Sequence, residues 1–189
     1  MKIGVISDTH GMLTSWRKAM RLFSGADIII HAGDVLYHPP RLGPTEGYDV
    51  PGLVEEMNAQ PTPIVIARGN CDPEVYEELL EMPALAPYAI VQHSGLRIVV
   101  QHGHTLSEKK MVRAIEKYHA DILVTGHTHV PVLEKCGEGI HLNPGSPSLP
   151  KFECDGVLTA TVAIISDDSI EVIALEDGRT LMSRSISKG

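Results

Sequence analysis

The chain has 189 residues, 43% of them hydrophobic, and a formal net charge of -8 at pH 7, which predicts one globular domain over residues 1–189 and argues against disorder. The basic residues are dispersed and no apolar run approaches the ~20 residues of a membrane span, so the sequence gives no strong sign of nucleic-acid or membrane binding. The N-terminus lacks a signal-peptide core and the three cysteines lack CxxC spacing, so we expect a cytoplasmic protein with reduced thiols.

The first part of the chain predicts a β-α-β unit followed by shorter elements. A buried strand at residues 2–7 precedes a helix in which apolar residues including Trp16 and Phe23 recur at helical spacing, and a second apolar strand follows at 27–31. The Pro- and Gly-rich loop 35–51 is expected to cover a site, where Arg41 and Tyr48 are candidates for substrate contact. A helix near 53–59, a strand at 63–67 and a helix beginning at Asp72 come next.

The middle and the end of the chain predict mostly β-structure. Ser94-Gly95 indicates a tight hairpin between strands at 88–93 and 96–101, and Ser107 is a candidate cap for a helix that leads to a strand at 121–125. Further strands are predicted at 132–136, 139–142, 157–165 and 169–175, with an edge strand or a loose tail after Asp177. We therefore predict an α/β fold, a two-sheet mixed β-sandwich flanked by helices.

Polar side chains follow five of the predicted strands at the point where each strand ends. Because strand ends can converge, we expect these side chains to form one site. Asp, Asn and His side chains, with no cysteine among them, suit borderline divalent ions such as Mn²⁺, Fe²⁺ or Zn²⁺ better than a structural thiolate site. The number of donors suggests two ions, since one carboxylate can bridge ions about 3.5–4 Å apart. The candidate donors are Asp8, His10, Asp34, Asn70, His102, His127 and His129.

Other catalytic classes lack their sequence signatures. The chain contains no GxSxG, GxGxxG or GxxxxGK[ST] pattern, so a serine nucleophile, a dinucleotide site and a nucleoside-triphosphate loop are not indicated.

The ordered motifs resemble those of the calcineurin-like metallophosphoesterases. The pattern Asp-x-His, Gly-Asp, Gly-Asn, His and Gly-His-x-His is met at Asp8-Thr9-His10, Gly33-Asp34, Gly69-Asn70, His102 and Gly126-His127-Thr128-His129. Within that family the chain is most similar to the YfcE-type phosphodiesterases, and the resemblance implies the four-layer sandwich of these enzymes. It also implies that Asp8, His10 and His129 hold one metal, that Asn70, His102 and His127 hold the other, and that Asp34 bridges them.

The resemblance implies a binuclear phosphodiesterase that cleaves a small phosphodiester through a metal-bridging hydroxide. Manganese is the first choice of ion, with zinc, iron or nickel as alternatives. Phosphomonoester or protein phosphatase activity stays open, as does a non-catalytic scaffold role like that of the retromer subunit of similar sequence. A homo-oligomer is also possible from the sequence.

One position departs from the larger family. The residue after Gly-Asn is usually a histidine that assists the leaving group, and here it is Cys71, so Asn70, Cys71 and His104 are the candidates for catalysis beside the metals. His104 is either a proton donor or a group that orients a metal ligand.

Several other polar residues carry structural expectations. His31 is predicted to be a hydrogen-bonded core residue, whereas His38, His93, His119 and His141 are predicted to be solvated. The loop at 143–146, which begins with Asn143, either steers a metal-bound histidine or only turns the chain.

Overall fold

The predicted β-α-β unit lies at the centre of a six-stranded sheet in the computed structural model, which describes residues 1–39 and 45–186. Strand β1 (Lys2–Ile6), helix α1 (Leu13–Leu22) and strand β2 (Ile28–His31) form the unit, and β3 (Ile64–Ile66) extends it in parallel. Helix α2 (Val50–Asn58) precedes β3. On the other side of β1, three antiparallel strands complete the order β13-β12-β11-β1-β2-β3: β11 (Thr161–Ser166), β12 (Ser169–Ala174) and β13 (Thr180–Ser185).

The second sheet has five strands in the order β4-β5-β6-β8-β7. The predicted hairpin is confirmed as β4 (Ala89–His93) and β5 (Leu96–Val100), joined at Ser94 and Gly95, whose φ angles of 50° and 85° fit a tight two-residue turn. Helix α4 (Glu108–Tyr118) leads to β6 (Ile122–Val124), which is parallel to β5 and to β8 (Gly139–Asn143). Strand β7 (Val132–Cys136) forms the antiparallel edge beside β8.

The layers follow from the alternation of side chains along the strands. Ile98 and Val100 on β5 point into the core between the two sheets, whereas Val99 between them packs with Ile115 of α4. Trp16 and Phe23 of the α1 region are buried in the core on the outer face of the first sheet, as predicted. The order helix, sheet, sheet, helix confirms the predicted two-sheet sandwich.

Two predicted elements are wrong in detail. The strand predicted at 157–165 is two strands, because β10 (Val157–Leu158) pairs with β9 (Glu153–Cys154) in a separate ribbon before the chain joins the large sheet at Thr161. The helix predicted from Asp72 is the short α3 (Tyr76–Leu79), preceded by Val75. Asp72 does not cap it, because its carboxylate accepts backbone N–H groups from Asp34 and Val35 in the loop after β2 and from Gly69 in its own loop.

The residues after Asp177, expected to be either an edge strand or a loose tail, form an edge strand, since β13 pairs with β12. Ser107 precedes α4 as predicted, but its side chain makes no capping hydrogen bond. Within 1–39 and 45–186, no helix is long and apolar enough to cross a membrane.

Candidate metal centre

The predicted donors converge where β1, β2, β3, β5 and β6 end. Backbone hydrogen bonds join these ends: the Asp8 amide donates to the Gly33 carbonyl at 2.9 Å, and the Gly126 amide donates to the His102 carbonyl at 2.8 Å. Parallel strands finish at one edge of each sheet, so the two sheets bring their loops to a common place.

Much of the donor backbone is in the left-handed region. Asp8, His10, Asp34, His127 and His129 have φ between 48° and 68°. Such conformations are uncommon for residues other than glycine and cluster at functional sites, where the surrounding structure maintains them. The strand ends are therefore bent in a way that aims side chains at a centre rather than along the sheet.

Two groups of donor atoms share Asp8. In the first group, the Asp8 Oδ1 atom lies 3.3 Å from His129 Nε2 and 3.8 Å from His10 Nε2. In the second group, Asp34 Oδ2 lies 3.3 Å from His102 Nε2, which is 3.9 Å from Asp8 Oδ1. The Asp34 Oδ2 atom is also 3.8 Å from His10 Nε2, so this carboxylate lies between the two groups.

Backbone carbonyls fix the orientation of three histidine rings. The Nδ1 atoms of His10, His102 and His129 lie 2.6, 2.7 and 2.6 Å from the carbonyl oxygens of Tyr37, Ala32 and Leu149. A carbonyl oxygen only accepts, so each Nδ1 carries the proton and each Nε2 of a neutral ring presents a lone pair towards the centre.

This arrangement fits divalent cations. The Nε2 atoms of His10 and His129 are only 3.3 Å apart, and two lone pairs at that distance repel unless a cation lies near both. Asp8 Oδ1 and His102 Nε2 are buried without a hydrogen-bond partner among the described residues, although buried polar atoms normally have one. A set of imidazole nitrogens and carboxylate oxygens is suited to Mn²⁺, Fe²⁺ or Zn²⁺.

The electrostatics of the buried donors depend on each other. Burial alone would raise the pKa of Asp34, but His102 and the Cys71 backbone amide outweigh it and hold that pKa well below its usual range. Burial of His102 disfavours its charged form, but the carboxylates of Asp34 and Asp8 outweigh burial, so the pKa of His102 is raised. For His10 burial dominates and lowers the pKa, so its ring is neutral at pH 7 and able to bind a metal.

Two motif glycines are required by close approaches. A Cβ atom at Gly69 would overlap the Asp34 carboxylate, and one at Gly126 would overlap the Ser7 hydroxyl. That hydroxyl donates to Asp8 Oδ2 at 2.6 Å, and the His127 amide donates to the same oxygen at 2.9 Å. Glycine therefore lets the loops pack directly against the two carboxylates.

Asp72 joins two of the loops and was not predicted to belong to the site. Its carboxylate accepts the backbone N–H groups of Asp34 at 2.9 Å, Val35 at 2.8 Å and Gly69 at 2.7 Å. The available sequence signal was its position directly after Cys71, two residues beyond the Gly69-Asn70 motif. Through these bonds the loop after β2 and the loop after β3 keep a fixed separation.

The loop after β8 holds the first and last motifs in place. Asn143 Nδ2 donates to the Gly126 carbonyl at 2.8 Å and to Thr128 Oγ1 at 3.1 Å, and Ser146 Oγ donates to the Asp8 carbonyl at 2.9 Å. Of the two alternatives for this loop, the geometry supports a role in steering the donor histidines.

The other predicted site residues lie at the margin. Asn70 and His127 are exposed; His127 does not belong to the compact groups, and its ring centroid is 5.3 Å from that of His102. His104 is also exposed, with its ring 5.5 Å from His102, and it makes no hydrogen bond within the described part of the chain. Burial, with the nearby Asp34 carboxylate, raises the pKa of Cys71 to about 12.

A cavity of about 510 Å³ opens directly over the donors. One wall is lined by five of the predicted metal donors and by Cys71. A second wall, which the sequence did not indicate, is formed by Pro39, Leu149, Pro150 and Lys151. The five are His10, Asp34, Asn70, His127 and His129. The 35–51 loop therefore borders the site through Tyr37 and Pro39, whereas Tyr48 does not line the cavity and Arg41 lies outside the described residues.

Two other histidines are explained by the structure. His31 is a buried core residue as predicted, with Nε2 2.9 Å from Thr9 Oγ1 and Nδ1 accepting the Gly33 amide, and burial lowers its pKa to about 3. The prediction that His141 is solvated is wrong, because this residue is 7% exposed and bonds Thr125 Oγ1 at 2.8 Å. The strand containing it is covered on both faces at that point.

Comparisons with known proteins identify the family of this chain. A family model described as the calcineurin-like phosphoesterase superfamily domain matches residues 1–167. Phosphodiesterase YfcE of Escherichia coli is 38% identical over 179 residues, 94% of each chain, and a phosphodiesterase of Methanocaldococcus jannaschii is 30% identical over 90% of this chain and 96% of that one.

Solved structures give the same result. The structure of YfcE from E. coli superposes with a TM-score of 0.83 at 36% identity, covering 99% of this chain and all of that one. Vps29 of Entamoeba histolytica, at 21% identity with a TM-score of 0.63, shares the fold. By its sequence over most of its length and by its fold, this chain belongs to the calcineurin-like phosphoesterase superfamily.

Proposed function

We propose that the protein is a binuclear metal-dependent phosphodiesterase. The observation that carries this proposal is the pair of donor groups that share Asp8, with lone pairs aimed at one another and two buried donor atoms without partners. Such a site is hard to explain as a purely structural feature, because each of those contacts costs free energy without a cation.

The chain's own residues would divide the work as follows. Asp8, His10 and His129 would hold one ion, His102 would hold the other with Asn70 and His127 at the margin, and Asp34, whose Oδ2 lies near both His10 and His102, would bridge the two. When bound, two such ions lower the pKa of a shared water towards neutrality and neutralise charge on the phosphate. The carbonyls of Tyr37, Ala32 and Leu149 keep the rings oriented, so that little reorganisation is needed during the reaction.

Imidazole and carboxylate donors serve manganese, zinc, iron and nickel alike, so the donor set supports a divalent ion without selecting one. Manganese is proposed first because of the family resemblance, with zinc, iron or nickel as alternatives. The choice of diesters over monoesters is supported by the relatives, because YfcE and the M. jannaschii protein are both named phosphodiesterases. Cys71 is a poor candidate for leaving-group protonation because its thiol stays protonated and is a weak acid.

The test is metal removal and reconstitution. Protein stripped with a chelator should lose hydrolysis of bis(p-nitrophenyl) phosphate, and Mn²⁺ should restore it, with two ions bound per chain by elemental analysis. In the reconstituted protein, diesters should be cleaved faster than monoesters with the same leaving group. Full activity of metal-free protein would contradict the mechanism, and inactivity of protein that holds two ions would favour a scaffold role instead.

A further inference from the structure

Lys151 lies in the wall of the cavity over the candidate metal donors. Its backbone N–H donates to the carbonyl of His129 at 3.1 Å, so its position is tied to a candidate metal ligand. Two residues earlier, Leu149 accepts from the ring of the same histidine. The wall segment 149–151 is thus held rigidly against the site at two points.

The ammonium group of Lys151 is unpaired within the described part of the chain. The side chain is exposed, and its ammonium group makes no ion pair or hydrogen bond with any residue in 1–39 or 45–186. Other exposed cations do find partners; for example, Arg17 Nε lies 2.6 Å from Glu56 Oε1. Among the described residues that line the cavity, Lys151 is the only lysine or arginine.

The surroundings of Lys151 suit an organic group that ends in an anion. Pro39, Leu149 and Pro150 line the same cavity and offer apolar contact, and the cation follows directly after them. The phosphate itself would be bound at the donors, so the wall is available to what is attached to it. A monoester has one such substituent, whereas a diester has two and can place one of them along the wall.

We propose that Lys151 makes this site select phosphodiesters in which one ester arm carries a second anionic group, such as a carboxylate or another phosphate. The apolar wall contacts the body of that arm, and the ammonium group pairs with its charge. This inference rests on the proposed phosphodiesterase function and names its substrate class. Lys151 is a specificity residue here and takes no part in the chemistry at phosphorus.

The test compares two diesters with the same leaving group. One is 4-carboxyphenyl p-nitrophenyl phosphate, and the other is its carboxyl methyl ester, which has the same shape near phosphorus but no second charge. The measured quantity is the ratio of their kcat/KM values for p-nitrophenolate release by the manganese-loaded protein. A change in metal occupancy or folding lowers both values and leaves the ratio unchanged.

Wild-type protein should favour the carboxylate, and Lys151→Met should lower the ratio about two- to fivefold, the range expected of an exposed ion pair. The change should lie mainly in KM, Lys151→Arg should retain the preference, and Lys151→Glu should reverse it. The preference should weaken at ~1 M salt, where exposed charges are screened. Lys135→Met is the matched control, because it removes an exposed lysine on β7, outside the cavity, and should leave the ratio unchanged.

Two results would overturn the inference, and they are distinguishable. If loaded wild-type protein hydrolyses both diesters but Lys151→Met has the same ratio, the specificity role is wrong and the phosphodiesterase function stands. If loaded protein hydrolyses neither diester, both proposals fall together.

Discussion

Replacing Asp72 with alanine should destabilise the protein by about 3–5 kcal/mol, the lower part of the range expected when three buried backbone donors each lose their acceptor at about 1–3 kcal/mol. Three such donors depend on this carboxylate, those of Asp34, Val35 and Gly69, and the first two belong to the loop that carries a candidate metal ligand. The side chain is only 2% exposed, so water cannot easily replace it. The loss should therefore be large for a residue that touches no proposed substrate or metal.

Urea unfolding measures this loss directly. With an m-value of roughly 2 kcal/mol/M, the expected destabilisation lowers the midpoint by about 1.5–2.5 M. Asp72→Asn should lose less, because its one remaining carbonyl oxygen can still accept the N–H groups of Asp34 and Gly69. Glu74→Ala is the control; this side chain is exposed nearby and its removal should change stability by no more than about 0.5 kcal/mol. A loss below about 1 kcal/mol in Asp72→Ala would refute the view that this carboxylate holds the two loops together.

Three further outcomes follow from the site. Asp34→Ala should reduce occupancy of both metal positions, whereas His10→Ala should mainly reduce the first, because the Asp34 carboxylate lies between the two groups; equal loss in both variants, by elemental analysis, would exclude a bridging role. Wild-type rates should depend steeply on leaving-group pKa, since the thiol of Cys71 is a weak acid, and a shallow dependence would mean that another group such as His104 supplies the proton. Cys71→His should raise rates on alkyl diesters selectively, by up to ~10²–10⁴-fold if the imidazole is correctly placed; a uniform decrease on all substrates would show that Cys71 serves packing.

The sequence predicts which polar side chains converge because each follows a largely apolar run. Asp8 and His102 each come two residues after the end of a largely apolar strand, and parallel strands of one sheet end at one edge. Convergence of Asp8, His10, Asp34, His102 and His129 then needs only the correct sheet order, which the β-α-β pattern largely determines.

What the sequence does not reveal are the groups that act through the backbone or through distant loops. The carbonyls of Tyr37 and Leu149 orient two histidines, but a carbonyl is present at every position and has no sequence signature. Asp72 was interpreted as a helix start because Asp before Pro is common there, and its long-range bonds overrode that local preference. The break between Val157 and Thr161 depends on which strand each segment pairs with, and periodicity does not contain that information.

One site should hold two ions on donors that share Asp8 and Asp34. Anomalous diffraction at the manganese edge, from crystals of Mn²⁺-loaded protein, tests it most directly. We predict two peaks about 3.5–4 Å apart, one beside Asp8, His10 and His129 and the other beside Asp34 and His102. A single peak, or two peaks away from these side chains, would contradict the binuclear centre.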